Sequence, residues 1–95
     1  GAWSYMGLAA LLDSQGLYDE AVEAMIDGWE RDQNRMTRLN MHFFAPEWTW
    51  QRDAMIAEIE GNLKLAEVLW TRVLKGDLAE LHESAAFHLR ALAEE

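Results

Sequence analysis

Two glycines 45 residues apart, Gly16 and Gly61, sit in the same local pattern. Each is followed by a large residue two positions on (Tyr18, Leu63), an alanine five positions on (Ala21, Ala66) and a second large residue nine positions on (Met25, Trp70). Upstream the match continues, with Tyr5 against Trp50, Ala9 against Ala54 and Leu12 against Ala57. This spacing demands a helix, a tight turn and a second helix, twice over. Glycine takes the left-handed conformation that ends a helix and turns the chain. The residue two beyond it is expected to pack back onto the first helix. Alanine lets the two helices cross closely. The large residue four beyond the alanine fills the space toward the next unit.

The apolar residues around these positions recur at helical period. The spacing predicts helices over 2–15, from Asp19 to about 43, over 46–60, over 63–75 and over 78–94. Asp19 and Glu20 stand at the positive end of the second helix dipole. That helix is read as one long element, because Trp29, Met36 and Phe43 are spaced by seven; the alternative is a break near Asp32-Gln33-Asn34. Ala45-Pro46 sets the next boundary, since the residue before proline leaves helical conformation and proline suits a first turn. No alternating β-branched run predicts a strand. The expectation is one all-α domain over 1–95, with about five helices joined by short turns as antiparallel neighbours.

Composition excludes several classes. With 95 residues, half of them apolar, the chain is too hydrophobic for disorder and long enough for a modest core. It has no cysteine, so disulfides, thiolate metal sites and a cysteine nucleophile are absent. No apolar run approaches the roughly 20 residues of a membrane span. No signal peptide is evident. The expected compartment is the cytoplasm, with the periplasm left open. Net charge is −9, and residues 1–30 hold six carboxylates and no lysine or arginine. Such a chain is a poor direct binder of nucleic acid, whose affinity comes mostly from phosphate neutralisation.

The repeated pattern resembles the tetratricopeptide repeat (TPR), a family of helical hairpins of about 34 residues per unit. Residues 2–34 carry it as Tyr5, Leu8, Ala9, Leu12, Gly16, Tyr18, Ala21 and Met25. Residues 47–80 carry it as Trp50, Ala54, Ala57, Gly61, Leu63, Ala66 and Trp70. Asp53 stands where the family usually has leucine, Gly28 replaces a customary alanine, and the closing proline is missing from both units. The stretch about 78–94 reads as a solvating end helix. The 45-residue separation exceeds the family period by about 11 residues, close to three helical turns. Both the second and third helices are therefore expected to be longer than usual. The resemblance implies hairpins stacked as a short right-handed superhelix. The competing reading is an ordinary five-helix bundle whose spacings coincide.

The family likeness also implies a concave groove formed by each unit's first helix. Carried over position by position, that groove comprises Trp3, Met6, Ala10, Asp13, Gln51, Arg52, Met55 and Ile59. The lysine and asparagine of the family's carboxylate-clamp subclass are replaced by Met6 and Ala10, which speaks against that subclass's ligands. The stretch Met41–Trp50 is rich in aromatics. Phe43, Phe44 and Trp48 are read either as core between the hairpins or as an association surface, since aromatics dominate binding hot spots. His82 and His88 are six apart on one helix, on different faces, where a metal pair needs a spacing of three or four. Neither a metal nor a cofactor is expected, and no nucleophile motif or phosphate loop is present. The chain thus reads as a non-enzymatic module that binds a protein or peptide partner. The alternative is a structural scaffold, or a self-associating, homodimeric fragment of a larger helical-repeat protein.

Overall fold

A computed structural model describes residues 2–37 and 45–94. Among these residues the chain is all α. Helix α1 spans Ala2–Ser14, α2 Tyr18–Thr37, α3 Pro46–Ile59, α4 Leu63–Lys75 and α5 His82–Ala93, with a 3-10 turn at Ala79–Leu81 leading into α5. The five helices pack as sequential antiparallel pairs. The most extensive contacts are α1 on α2, α3 on α4, and α4 on α5. A radius of gyration of 12.0 Å is that of a globule of this length, about 13 Å for 100 residues.

The two hairpin turns close identically. Gly16 has φ +82° and Gly61 φ +78°, the left-handed region that glycine enters without strain. The Leu17 amide donates to the Leu12 carbonyl at 2.9 Å and the Gly16 amide to Asp13 at 3.1 Å. In the second hairpin Asn62 donates to Ala57 at 2.8 Å and Gly61 to Glu58 at 3.1 Å. Each is a Schellman closure, which satisfies the last carbonyls of the first helix. Asn62 also caps α4, its side-chain oxygen accepting from the Leu65 amide at 3.3 Å.

The core is built from small residues meeting large ones. Ala9, Ala21, Ala54, Ala57, Ala66 and Ala85 have no exposed surface. They let the backbones approach, and Met25, Trp70, Val73 and Leu81 fill what remains. Trp48, Trp50 and Leu12 are half-buried against this core. Gly76, where α4 ends, leaves room for Glu47: a Cβ there would lie 2.9 Å from the Glu47 Cγ.

Two expectations need correction, and a third holds as far as the described residues reach. Tyr18 does not find its partner on α1; its ring stacks on Phe87 of α5, with centroids 3.7 Å apart and planes 4° apart. Its counterpart Leu63 is exposed. Helix α2 runs unbroken through Asp32-Gln33-Asn34 to Thr37, and the expected continuation over 38–43 lies outside the described residues. The surplus length does not fall on the third helix. Helix α3 has 14 residues against 13 in α1, whereas α2 has 20 against 13 in α4.

The alanine crossings are directly testable. Ala21→Leu or Ala66→Leu forces three extra heavy atoms into a contact with no free surface, and each should cost about 1–3 kcal/mol. Urea denaturation monitored by circular dichroism should show both midpoints lowered. Parent-like midpoints in both would remove the close crossing as the reason for alanine.

Candidate functional site

The residues that tie the helices together are polar. His88, on α5, is buried among groups from the four other helices. Its Nε2–H donates to Asp13 Oδ1 of α1 at 2.7 Å, and its Nδ1–H to Glu58 Oε2 of α3 at 3.0 Å. The ring lies flat on Trp70 of α4, centroids 4.0 Å apart and planes 6° apart. Tyr18 of α2 meets it edge-on at 5.7 Å. The Trp70 indole N–H donates to the same Glu58 oxygen at 2.7 Å.

The local sequence explains this convergence. Asp13 and Glu58 occupy equivalent places, each three residues before its Schellman glycine. Each hairpin therefore offers one carboxylate at its tip, and α5 lays one imidazole between the two. Burial alone would lower the His88 pKa. The hydrogen bonds and charges of Asp13 and Glu58 more than reverse this and hold it at about 9. At neutral pH the group is an imidazolium stacked on an indole face, a cation–π contact as well as an ion pair.

Asp13 is the hub of this network. Its Oδ2 accepts from Gln51 Nε2 of α3 at 3.0 Å, and its backbone carbonyl accepts from Ser84 Oγ of α5 at 2.7 Å. Gln51 Nε2 also reaches the Ala10 carbonyl at 3.4 Å. Gln51 Oε1 is buried without a partner. Turning the amide over would set that oxygen against the Asp13 carboxylate, so two acceptors fix its orientation.

The sequence-derived groove residues are placed as follows. Ala10, Asp13, Gln51, Arg52 and Met55 are buried, and Ile59 is half-buried. Asp13 and Gln51 are joined in the network, and Arg52 pairs with Asp53 at 2.8 Å. Trp3 and Met6 lie on α1 with side chains outside the described set. Of the aromatic group, Trp48 is half-buried against the core, and Phe43 and Phe44 lie outside the described residues. Met55 and Ile59 come together where this lining opens between α2 and α3.

That opening is an apolar cleft of about 280 Å³ between α2 and α3. Val22, Met25 and Ile26 form one wall, Met55 and Ile59 the other, and Glu58 and His88 the floor. Val22 and Ile26 are 45% and 40% exposed, high for aliphatic residues one helical turn apart. Sequence reasoning did not single them out as site residues, and it weighed His88 only as a metal ligand. The readable signal was the pair Asp13 and Glu58, one carboxylate before each glycine.

Neither the comparison with protein-family models nor those with curated proteins and solved structures gave a match. The chemistry of the site is therefore argued from its own geometry. Both ring nitrogens of His88 are committed to carboxylates, which leaves no lone pair for a metal or a proton acceptor. Among the described residues no group of three His, Asp or Glu is placed to hold a metal ion, and no helix is long and apolar enough to cross a membrane.

The clamp predicts a pH dependence. His88 has a folded pKa of about 9 against 6.5 in the unfolded chain, so the native state binds the extra proton between these values. Its contribution is full below pH 6.5 and is lost as pH rises through 9. The shift corresponds to roughly 3 kcal/mol. Urea midpoints should fall for the parent from pH 6.5 to 9.5 and stay nearly level over that range for His88→Gln. Parallel profiles for the two proteins would mean that the imidazolium does not carry the effect.

Proposed function

We propose that this chain is a non-enzymatic protein-interaction module of TPR-like helical hairpins, whose binding surface is the cleft between α2 and α3. Three observations support the repeat reading: two Schellman turns at a 45-residue separation, alanine crossings at equivalent places, and equivalent carboxylates at both hairpin tips. The non-enzymatic reading fits the commitment of the polar side chains. His88, Asp13, Gln51 and Ser84 are occupied with one another inside the fold.

The observation that carries the proposal is the exposure of Val22 and Ile26 beside a cleft with an apolar lining. At about 280 Å³ it falls just below the usual range of small-molecule pockets, about 300–1,000 Å³. It suits an anchor side chain presented by a peptide or helix. Most of the groove positions that the family resemblance implies are filled by the fold itself. The partner is thereby directed to the part of that lining, Met55 and Ile59, that still opens outward.

The second reading, a self-associating scaffold, is favoured by α4. Leu65 and Val68 are 45% and 51% exposed on its outer side. Amide chemical-shift mapping with a panel of helical peptides tests the first reading. Perturbations should centre on Val22, Ile26, Met55 and Ile59 and disappear in Ile26→Ser. Perturbations confined to Leu8 and Leu11 of α1 would place the binding surface elsewhere, and none with any peptide would leave the scaffold reading.

A further inference from the structure

The two hairpins agree in what they bury and oppose each other in what they expose. Helix positions 45 residues apart are structurally equivalent, so α2 and α4 can be compared face to face. One arc of α2, about 100° wide at 3.6 residues per turn, carries Asp19, Glu20, Glu23, Asp27 and Glu30. All five are exposed. The equivalent arc of α4 carries Lys64, Leu65, Val68, Arg72 and Lys75, also all exposed. Asp19 is thus answered by Lys64, Asp27 by Arg72 and Glu30 by Lys75. Where α4 has no cation it has leucine and valine. Val22 and Ile26 stand along the edge of the acidic arc.

We infer that a second copy of this chain docks here, the basic-apolar face of its α4 lying along the acidic face of α2. This rests on the self-associating reading above and names its surfaces. Charge complementarity selects this occupant. Helix α4 presents an amphipathic basic stripe that is exposed among the described residues, with only Arg72 lying over a ring of its own chain, Trp50 at 5.6 Å, and α2 presents the matching carboxylates with an aliphatic edge for Leu65 and Val68. Helices α2 and α4 run in the same direction, because successive helices alternate. A two-fold axis parallel to both sets α2 on the second copy's α4 and, by the same rotation, α4 on the second copy's α2. The contact is then made twice and closes, as an isologous dimer does. Each pair is exposed and individually weak, so specificity comes from several acting together. The net charge of −9 per copy opposes association at long range, but at physiological salt that repulsion is screened beyond about 8 Å.

Charge-swap variants test this with the protein alone, followed by light scattering over rising concentration at 0.15 M salt. The parent should move from its 10.9 kDa mass toward twice that value. Asp27→Lys with Glu30→Lys, and separately Lys64→Glu with Lys75→Glu, should each weaken self-association about tenfold or more. An equimolar mixture of the two variants should restore the dimer, and so should all four changes in one chain. Both variants remain net negative, so general attraction does not explain recovery. Circular dichroism checks that each is folded. Leu65→Ser with Val68→Ser, which leaves every charge in place, should also weaken the dimer. A dimer that ignores the swaps would overturn these surfaces and leave self-association standing. A protein that stays at 10.9 kDa at millimolar concentration would overturn both.

Discussion

One protonated imidazole joins helices that otherwise meet mainly in pairs. Within each hairpin, the alanine crossings and the Schellman turn hold two helices together by local means. Among the described residues the two hairpins meet less extensively, α2 and α1 each touching α3 and Gln51 donating to Asp13. His88 adds two hydrogen bonds, to Asp13 at the tip of the first hairpin and to Glu58 at the tip of the second. Its charge matters, because a neutral ring has only one N–H and could donate to only one of them. The proton that burial would remove is retained because two carboxylates are present to share it.

This dependence also explains the globular outline. A short helical repeat is expected to present a row of first helices along an open concave side. Here α5 closes part of that side. Ser84, Phe87 and His88 contact the α1–α2 corner at Asp13 and Tyr18, more than 65 residues away in sequence. The network explains why Gln51 tolerates an unpartnered Oε1. Its amide nitrogen is needed at Asp13 Oδ2, and the orphaned oxygen is the cost of completing the hub.

Much of the fold was legible in the sequence, because it is written in residues with a single mechanical use. Gly16 and Gly61 turn the chain, Pro46 starts a helix, and Ala21 and Ala66 mark crossings. Three helices, α1, α3 and α4, begin and end within about a residue of their expected limits, while α5 follows a 3-10 turn that periodicity does not signal. The site was less legible. Asp13 was read as a groove residue because the family resemblance implies that position, and His88 was weighed only as a metal ligand. Burial of a charge depends on a partner far along the chain, and helical periodicity reports only neighbours three and four residues apart. Tyr18 was misplaced likewise, since its stacking partner Phe87 belongs to the last helix.

The contrast between the hairpins indicates which positions the fold constrains. Inward places are filled alike: alanine against alanine at the crossings, and Met25 against Trp70 beside the network. Outward places follow no such rule, and Asp19, Asp27 and Glu30 face their opposites in Lys64, Arg72 and Lys75. Folding needs the first set and is indifferent to the sign of the second, because an exposed charge changes stability by only tenths of a kcal/mol. A sign reversal at three equivalent places is only partly accounted for within one folded chain, by the helix dipoles at Asp19 and Lys75 and by the stacking of Arg72 on Trp50. Its physical consequence appears when the two faces meet, and that requires a second molecule.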